Sequence, residues 1–370
     1  MDFAMDEKYE EHRKKVRDFA KKEFTEKIAE DCDTGEKYPE ELRRKAFEAG
    51  LMDFTDPWKI LITIEELCSV DESLGVAVTT PYFGAEVLML FGSDCLKEKY
   101  LTPVNTGKAI MGLAVTEPGG GSDVAGIKTR ATLEGDHYVL NGSKMFITNG
   151  SIANHFVLLA RTSDEEKKHH GLSCFVVEST FEGFKANKLK GKMGVRATDT
   201  AELQLNNVKV PKENLIGEPG KGFYYIMTFF NISRIYVAAQ GLGVAKGALN
   251  LSMSVAKNMG ESYVSQESVQ FEISEMATRF EAARLLTYKA ASFLFNFNPN
   301  PTLTSMAKFY AAETAVFCTE RSVEITGMNG VFGQLERFLR DAKILEIWEG
   351  TSEVEKLIIA RNLIKEGGVS

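Results

Sequence analysis

Arg130-Ala-Thr-Leu-Glu-Gly-Asp-His-Tyr-Val-Leu-Asn-Gly-Ser143 reads as strand, turn, strand. Apolar and polar residues alternate along it, and Asn141-Gly142 is a turn signal. Short apolar runs follow at Phe156-Val-Leu-Leu-Ala160, Ser173-Cys-Phe-Val-Val-Glu178 and Ala201-Glu-Leu-Gln-Leu205. Asn207-Val-Lys-Val-Pro-Lys-Glu-Asn-Leu-Ile-Gly217 closes the series, so residues 112–217 are predicted to form a β domain, a barrel or sandwich. On both sides the period changes from two to 3.6. Upstream, residues 6–31 put Tyr9, Val16, Phe19, Ala20, Phe24 and Ile28 on one helical face. Residues 39–50 repeat the pattern and stop at Gly50. Residues 58–69 and 84–91 are apolar enough for buried helices, and a helix begun at Asp94 is expected to end at Pro103. This makes residues 1–111 a helical domain. Downstream, Met227–Met259, Ser268–Phe295, 303–326 and 341–366 carry the helical period again, with the loop Asn296-Phe-Asn-Pro-Asn-Pro301 between. Residues 218–370 therefore read as a four-helix bundle. The predicted class is α+β multidomain, in the order helical, β, helical.

The totals exclude several function classes. A chain of 370 residues is too long for one hydrophobic core. Apolar content of 44% and charged content of 26% describe an ordinary globular protein. A net charge of −8 argues against a nucleic-acid partner. No apolar run is expected to reach the ~20 residues that cross a bilayer, so no membrane partner is expected. The start, Met1-Asp-Phe-Ala-Met-Asp-Glu-Lys8, lacks the apolar core of a signal peptide. Cys32, Cys68, Cys95, Cys174 and Cys318 are scattered and have no metal-ligand spacing. They read as reduced thiols of a cytoplasmic protein with no bound metal. Lys167-Lys-His-His170 reads as a solvated loop.

Three stretches carry chemistry. In Val115-Thr-Glu-Pro-Gly-Gly-Gly-Ser-Asp123 the glycines expose backbone N–H groups, and Thr116 and Ser122 add hydroxyls. Such a loop can hold an anion or lie against a planar cofactor, or it can be a plain inter-domain turn. Its spacing, and the β domain after it, exclude a Rossmann reading. In Gly142-Ser-Lys-Met-Phe-Ile-Thr-Asn-Gly150, Phe146 and Thr148 fall on one side of a strand, where they could cover a ring and bond its edge, although on its own the stretch reads first as a plain strand end. In Arg340-Asp-Ala-Lys-Ile-Leu-Glu-Ile-Trp-Glu-Gly-Thr351 a helix runs into a tight turn. Glu349 stands there beside bulky apolar residues that would raise its proton affinity, as a general base requires. Read alone, it is first a surface glutamate at a helix end.

Together these stretches resemble the acyl-CoA dehydrogenase family over nearly the whole chain. Lys192-Met-Gly-Val-Arg-Ala-Thr-Asp-Thr200, Val210-Pro-Lys-Glu-Asn-Leu-Ile-Gly217 and Arg234 with Ala238-Ala-Gln-Gly-Leu-Gly243 extend the match in the right order. The resemblance implies FAD bound between the β domain and the C-terminal bundle. Thr116 and Thr148 match positions at the flavin ring edge, Phe146 matches the aromatic beside the ring, and the backbone at Leu113 and Val115 lines it. Gly121, Ser122, Thr351 and Glu353 join the implied cofactor set. Ser122, Thr198, Asn231, Arg234 and Gly350 form the implied substrate set. Glu349 matches the catalytic base; the position that carries the base in some members is Ser233 here. The implied reaction is α,β-dehydrogenation of an acyl-CoA to the trans-2-enoyl-CoA, as in fatty acid β-oxidation. Glu349 takes the α-proton while the β-hydrogen leaves as hydride to the flavin. An electron-transfer flavoprotein is the implied acceptor, and a homotetramer or homodimer the implied assembly.

The departures gather on one feature. The family's Arg-x-x-Phe-Gly segment, which reaches a neighbouring subunit's FAD, is Ala256-Lys-Asn-Met-Gly260 here, with Ala256 for the arginine and Met259 for the phenylalanine. Glu324 stands for a glutamine near the flavin pyrophosphate and Met328 for a nearby glycine. Asn231 replaces an aspartate on the substrate helix, and a glycine-rich loop is cut to Thr55-Asp-Pro-Trp58. Two alternatives stay open at this point: a non-catalytic acyl-CoA-binding relative with weakened FAD binding, and an oxidase of the same fold. Acyl chain length is not readable.

Overall fold

The structure, a computed structural model, describes residues 5–368. They form two compact units: a helical one of residues 5–78, 192–197 and 231–368, and a β-rich one of residues 79–191 and 198–230.

The chain opens with α1 (Glu7–Glu23), α2 (Glu26–Gly35), α3 (Glu40–Glu48), α4 (Pro57–Cys68) and α5 (Glu72–Thr79). The single helix expected over 6–31 is two. Thr25 interrupts it, because its hydroxyl accepts the Ile28 N–H and caps a new start. The shortened Thr55–Trp58 loop is itself a cap: Asp56 accepts from the N–H groups of Trp58 and Lys59, with Pro57 at the first helical position.

α6 (Ala85–Phe91) follows a 3₁₀ turn, Thr80–Tyr82. The segment Glu72–Phe91 has the length and apolar composition of a bilayer span, which the sequence reading did not anticipate; most of it is buried in the protein, as in a core helix. α7 (Asp94–Leu96), a π-helical turn Lys97–Leu101 and α8 (Thr102–Asn105) then run on without a break. The expected stop at Pro103 does not occur. The π turn lets the Thr102 N–H reach Lys97 O, five residues back, and Pro103 sits where the next turn starts.

The β unit holds β1 (Met111–Ala114), β2 (Arg130–Glu134), β3 (His137–Thr148), β4 (His155–Arg161), β5 (Leu172–Glu178), β6 (Phe184–Lys188), β7 (Thr200–Pro211) and β8 (Leu215–Ile216). They make one eight-stranded sheet in the order β6-β7-β3-β2-β4-β5-β8, with β1 parallel to β4. The β2–β3 turn is at Gly135-Asp136, since Glu134 pairs with His137. Asn141-Gly142, read as a turn, lies inside β3 at a register shift against β7. A Cβ on Gly142 would stand 2.5 Å from the Thr129 hydroxyl, so the glycine serves a close crossing.

α9 (Gly222–Asn258) starts earlier than its period suggested, and its residues from 231 on belong to the helical unit. α10 (Glu261–Val264), α11 (Glu267–Phe295), α12 (Pro301–Thr326), α13 (Gln334–Ala342) and α14 (Ser352–Glu366) complete that unit. The helix expected over 341–366 is interrupted between α13 and α14. Ile60, Leu61 and Ile64 of α4 pack with Ile235, Ala238 and Leu242 of α9, Ala283 and Ala290 of α11, and Ala307 and Ala311 of α12. Small residues let these helices touch at the backbone: a Cβ on Gly241 would lie 2.8 Å from Ala311 O, and one on Gly243 2.5 Å from Glu65 O. Residues 192–197 are pinned in the same unit. Val195 N–H donates to Asp341 (2.5 Å), Ala197 N–H to Ser73 (2.8 Å), and Arg340 donates to Met193 O (2.9 Å).

Candidate active site

In the helical unit the site is a turn. α13 ends, Lys343–Glu346 makes one 3₁₀ turn, and Trp348 leads into Glu349 at φ +54 and Gly350 at φ +104. Two successive left-handed residues, one of them not glycine, need support from outside. Arg234 Nε donates to Glu349 O (3.1 Å) and lies 2.9 Å from Glu355 Oε1. Lys308 Nζ donates to Gly350 O (2.5 Å). Thr351 caps α14 by accepting the Val354 N–H. A Cβ on Gly350 would stand 2.1 Å from Glu355 Oε1, so only glycine fits there.

The Glu349 carboxyl accepts a hydrogen bond from Ser233 Oγ. Burial raises its proton affinity above the usual carboxylate range; Ser233, Arg234 and Lys308 oppose that, and Glu355 adds to it. Burial lowers Lys308 to about 8 against the pull of Glu355 and Glu349. Burial likewise raises Glu355, with Arg234 opposing. Of the sequence-named residues, Glu349, Gly350 and Arg234 are joined directly. Asn231 is half-buried, one turn before Arg234, and Glu353 is exposed in the first turn of α14. The sequence reading missed Lys308 and Glu355. The available signal was a lysine in the small-residue run Ser305-Met-Ala-Lys308 of a helix with a buried face.

In the β unit Leu113 ends up buried in β1, and Val115 and Thr116 follow it. Glu117 is their anchor. Its carboxylate accepts from Lys128 N–H (2.7 Å), Thr129 N–H (2.9 Å) and Lys144 Nζ (3.0 Å). Lys144, wholly buried, also donates to Val115 O (2.9 Å), and Met145 N–H donates to Thr116 O (2.9 Å). Burial lowers Lys144 to about 8, with Glu117 pulling the other way. Gly119, Gly120, Gly121 and Ser122 are exposed beyond the Glu117–Gly120 bridge. A Cβ on Gly119 or Gly120 would meet nothing within 4 Å, so the space before the loop is open.

Phe146 is 67% exposed at φ +59, in a bulge of β3 between the Lys144–Leu203 and Ile147–Ala201 pairs. Thr148, half-buried, lies beyond buried Ile147 and pairs with Thr200. Asn149 ties this corner down: its N–H donates to Asp199 O (2.9 Å) and its side chain to Thr80 O (2.8 Å). Thr198 is buried beside Asp199, whose carboxylate holds Ser151. Lys144, Glu117, Asn149 and Asp199 all lie inside the quoted motifs and were not singled out there.

The departing residues also have places. Ala256 is buried, while Met259 and Met328 are exposed. Glu324 forms an ion pair with Arg321, so its charge is screened on its own helix.

Models of the acyl-CoA dehydrogenase N-terminal, middle and C-terminal domains match residues 6–108, 112–208 and 220–364. The chain belongs to the acyl-CoA dehydrogenase family. It is an oxidoreductase, and acyl-CoA dehydrogenation is the reaction of its class. The short-chain specific acyl-CoA dehydrogenase of Clostridium acetobutylicum is 38% identical over 99% of this chain and 100% of its own. The caffeyl-CoA reductase–Etf complex subunit CarC of Acetobacterium woodii is 36% identical over 96% of this chain and 97% of its own. The butyryl-CoA dehydrogenase structure from Megasphaera elsdenii superposes with a TM-score of 0.93 at 33% identity, covering 98% of this chain and 100% of that one.

Proposed function

We propose that this acyl-CoA dehydrogenase oxidises a short-chain acyl-CoA to its trans-2-enoyl-CoA, with Glu349 taking the α-proton. The observation that carries the reading is the Glu349 turn. Burial lifts the carboxyl toward the pH at which a base must work, and one hydroxyl, that of Ser233, orients it. Arg234 and Lys308 hold the two carbonyls that follow its Cα, those of Glu349 and Gly350, which fixes the turn that presents the carboxyl. Displacement of water by the acyl chain would raise its proton affinity further.

The β unit's donor set fits FAD: hydroxyls of Thr116, Thr148 and Ser122, the exposed Phe146 ring, and open space before the glycines. Bound FAD would supply the hydride acceptor. Leu113, Val115, Gly121, Thr351 and Glu353 complete the proposed cofactor set, and Ser122, Thr198, Asn231, Arg234 and Gly350 the substrate set. The short-chain and butyryl names of two relatives support the chain-length reading, and the Etf complex of the third supports an electron-transfer flavoprotein as acceptor. Exposed Met259, Phe271, Met328 and Phe332 support a homo-oligomer. A cytoplasmic place in fatty acid β-oxidation, and functional domains at 1–111, 112–217 and 218–370, belong to the same reading.

The test is the visible spectrum of the FAD-loaded protein during anaerobic addition of butyryl-, octanoyl- and palmitoyl-CoA. Butyryl-CoA is expected to bleach it most. A yellow protein that none of the three bleaches overturns the substrate class. Hydrogen peroxide formed at the rate of turnover in air would make the enzyme an oxidase instead.

A further inference from the structure

We propose that Lys308 and Glu355 are positioning residues for Glu349, Lys308 acting through the Gly350 carbonyl and Glu355 through Arg234. The inference rests on the reading of Glu349 as the base. A lysine buried among Ala307, Ala311 and Ala312 is costly unless its charge is compensated. Here the Lys308 ammonium donates to Gly350 O (2.5 Å), and Glu355 and Glu349 compensate its charge. The Glu349 carbonyl is taken in turn by Arg234 (3.1 Å), whose charge Glu355 matches at 2.9 Å. The two carbonyls of the left-handed pair are thus each held by a cation from a different helix, α9 and α12. Glu355, wholly buried in the first turn of α14, lies where a Gly350 Cβ would be. Turn, clamp and counter-charge fit only together.

The groups that act on the Glu349 carboxyl come from three helices. α9 gives Ser233 and Arg234, α12 gives Lys308, and α14 gives Glu355. Glu346 of the preceding turn acts on Lys308 and is itself paired with Lys343. With all four groups ionised, Arg234 and Lys308 balance Glu349 and Glu355. Removing the Lys308 charge leaves Glu349 less stabilised as an anion, so it holds its proton to higher pH. Removing the Glu355 charge does the opposite. Structural damage alone has no reason to produce shifts of opposite sign.

The experiment uses FAD-loaded, full-length enzyme as wild type, Lys308→Met, Lys308→Arg and Glu355→Gln. The Glu349 carboxyl band is identified by infrared difference titration as the band lost in Glu349→Gln. Its midpoint should rise by about one pH unit in Lys308→Met, fall by a similar amount in Glu355→Gln, and return toward wild type in Lys308→Arg. The acid limb of kcat/KM with butyryl-CoA should move in the same directions. A midpoint unmoved in both charge-removing variants, or moved the same way in both, overturns the proposal. If Lys308→Met does not fold, Glu355→Gln decides alone: its midpoint must fall. Should Glu349→Gln turn over like wild type, the base reading fails, while the infrared titration still reports on Lys308 and Glu355.

Discussion

Glu117 in the β unit and Glu349 in the helical unit invite comparison. Glu117 is buried and Glu349 half-buried, and each has a buried lysine nearby that is lowered to about 8. Yet Glu117 is held below the usual carboxylate range and Glu349 above it. Burial acts against the anion in both. The difference lies in the donors aimed at the carboxylate. Glu117 receives two backbone N–H groups and the Lys144 ammonium at 2.7–3.0 Å. Glu349 receives the Ser233 hydroxyl, while Lys308 and Arg234 bond to carbonyls of the turn instead. Glu117 takes its strongest support from the charge of Lys144, which also donates to it directly, whereas the cations near Glu349 donate elsewhere. Glu117 is fully occupied in shaping a loop, whereas Glu349 keeps the capacity to take a proton.

The largest effect should follow from removing that capacity. Glu349→Gln is expected to cut turnover of butyryl-CoA by about 10²–10⁴-fold, the range for a general base, with FAD content and thermal stability retained. The paired change in the other region is Lys144→Met, which should act on stability first. It strips the ammonium from a buried carboxylate and leaves Val115 O without its donor. Breaking a buried pair costs about 3–5 kcal/mol, readable in a urea titration of the FAD-loaded protein. Turnover per folded molecule should change less than in Glu349→Gln. A Lys144→Met protein as stable as wild type would remove the contrast.

The order of helical, β and helical segments was legible because periodicity is local. The break at Thr25 was not, because Phe24 and Ile28 continue the apolar stripe across it. Asn141-Gly142 has the composition of a hairpin turn. What makes it a bulge is Thr129 crossing beneath Gly142, which composition does not encode. At the site, Glu349, Gly350 and Arg234 were named from motifs, and the structure joins them. Lys144, Lys308 and Glu355 were passed over for one reason. Charged residues are read as facing water, and their burial depends on partners far along the chain, such as Gly350 for Lys308.

A smaller effect tests the turn that separates the two glutamates' roles. Gly350→Ala puts a Cβ 2.1 Å from Glu355 Oε1 at a φ of +104. Strain of about 1–3 kcal/mol is expected. Because the side chain displaced is the partner of Arg234, kcat should fall more than stability does. Equal loss in both, by stopped-flow reduction and thermal melting, would mean that the turn is ordinary scaffold.

The smallest expected effect extends the donor argument to a carboxylate outside the site. Asp341 of α13 receives one N–H, that of Val195, and burial together with nearby Asp71 pushes it up to about 8. It belongs with Glu349 rather than with Glu117. Glu72, wholly buried beside the same group, is raised too. The sign follows from linkage. The folded state holds the Asp341 proton more tightly than the unfolded chain does. The associated stability is therefore fully present below the ordinary aspartate range and is lost as pH rises through about 8. Asp341→Asn keeps an oxygen for Val195 N–H but cannot ionise. Between pH 6 and 8 the wild type should lose roughly 2 kcal/mol more than the variant, and no more above that. Parallel melting curves across that range would show that Asp341 is already ionised at pH 6. One backbone donor with the charge of Arg340 would then be enough to hold a buried carboxylate as an anion, and the distinction between Glu117 and Glu349 would need another cause.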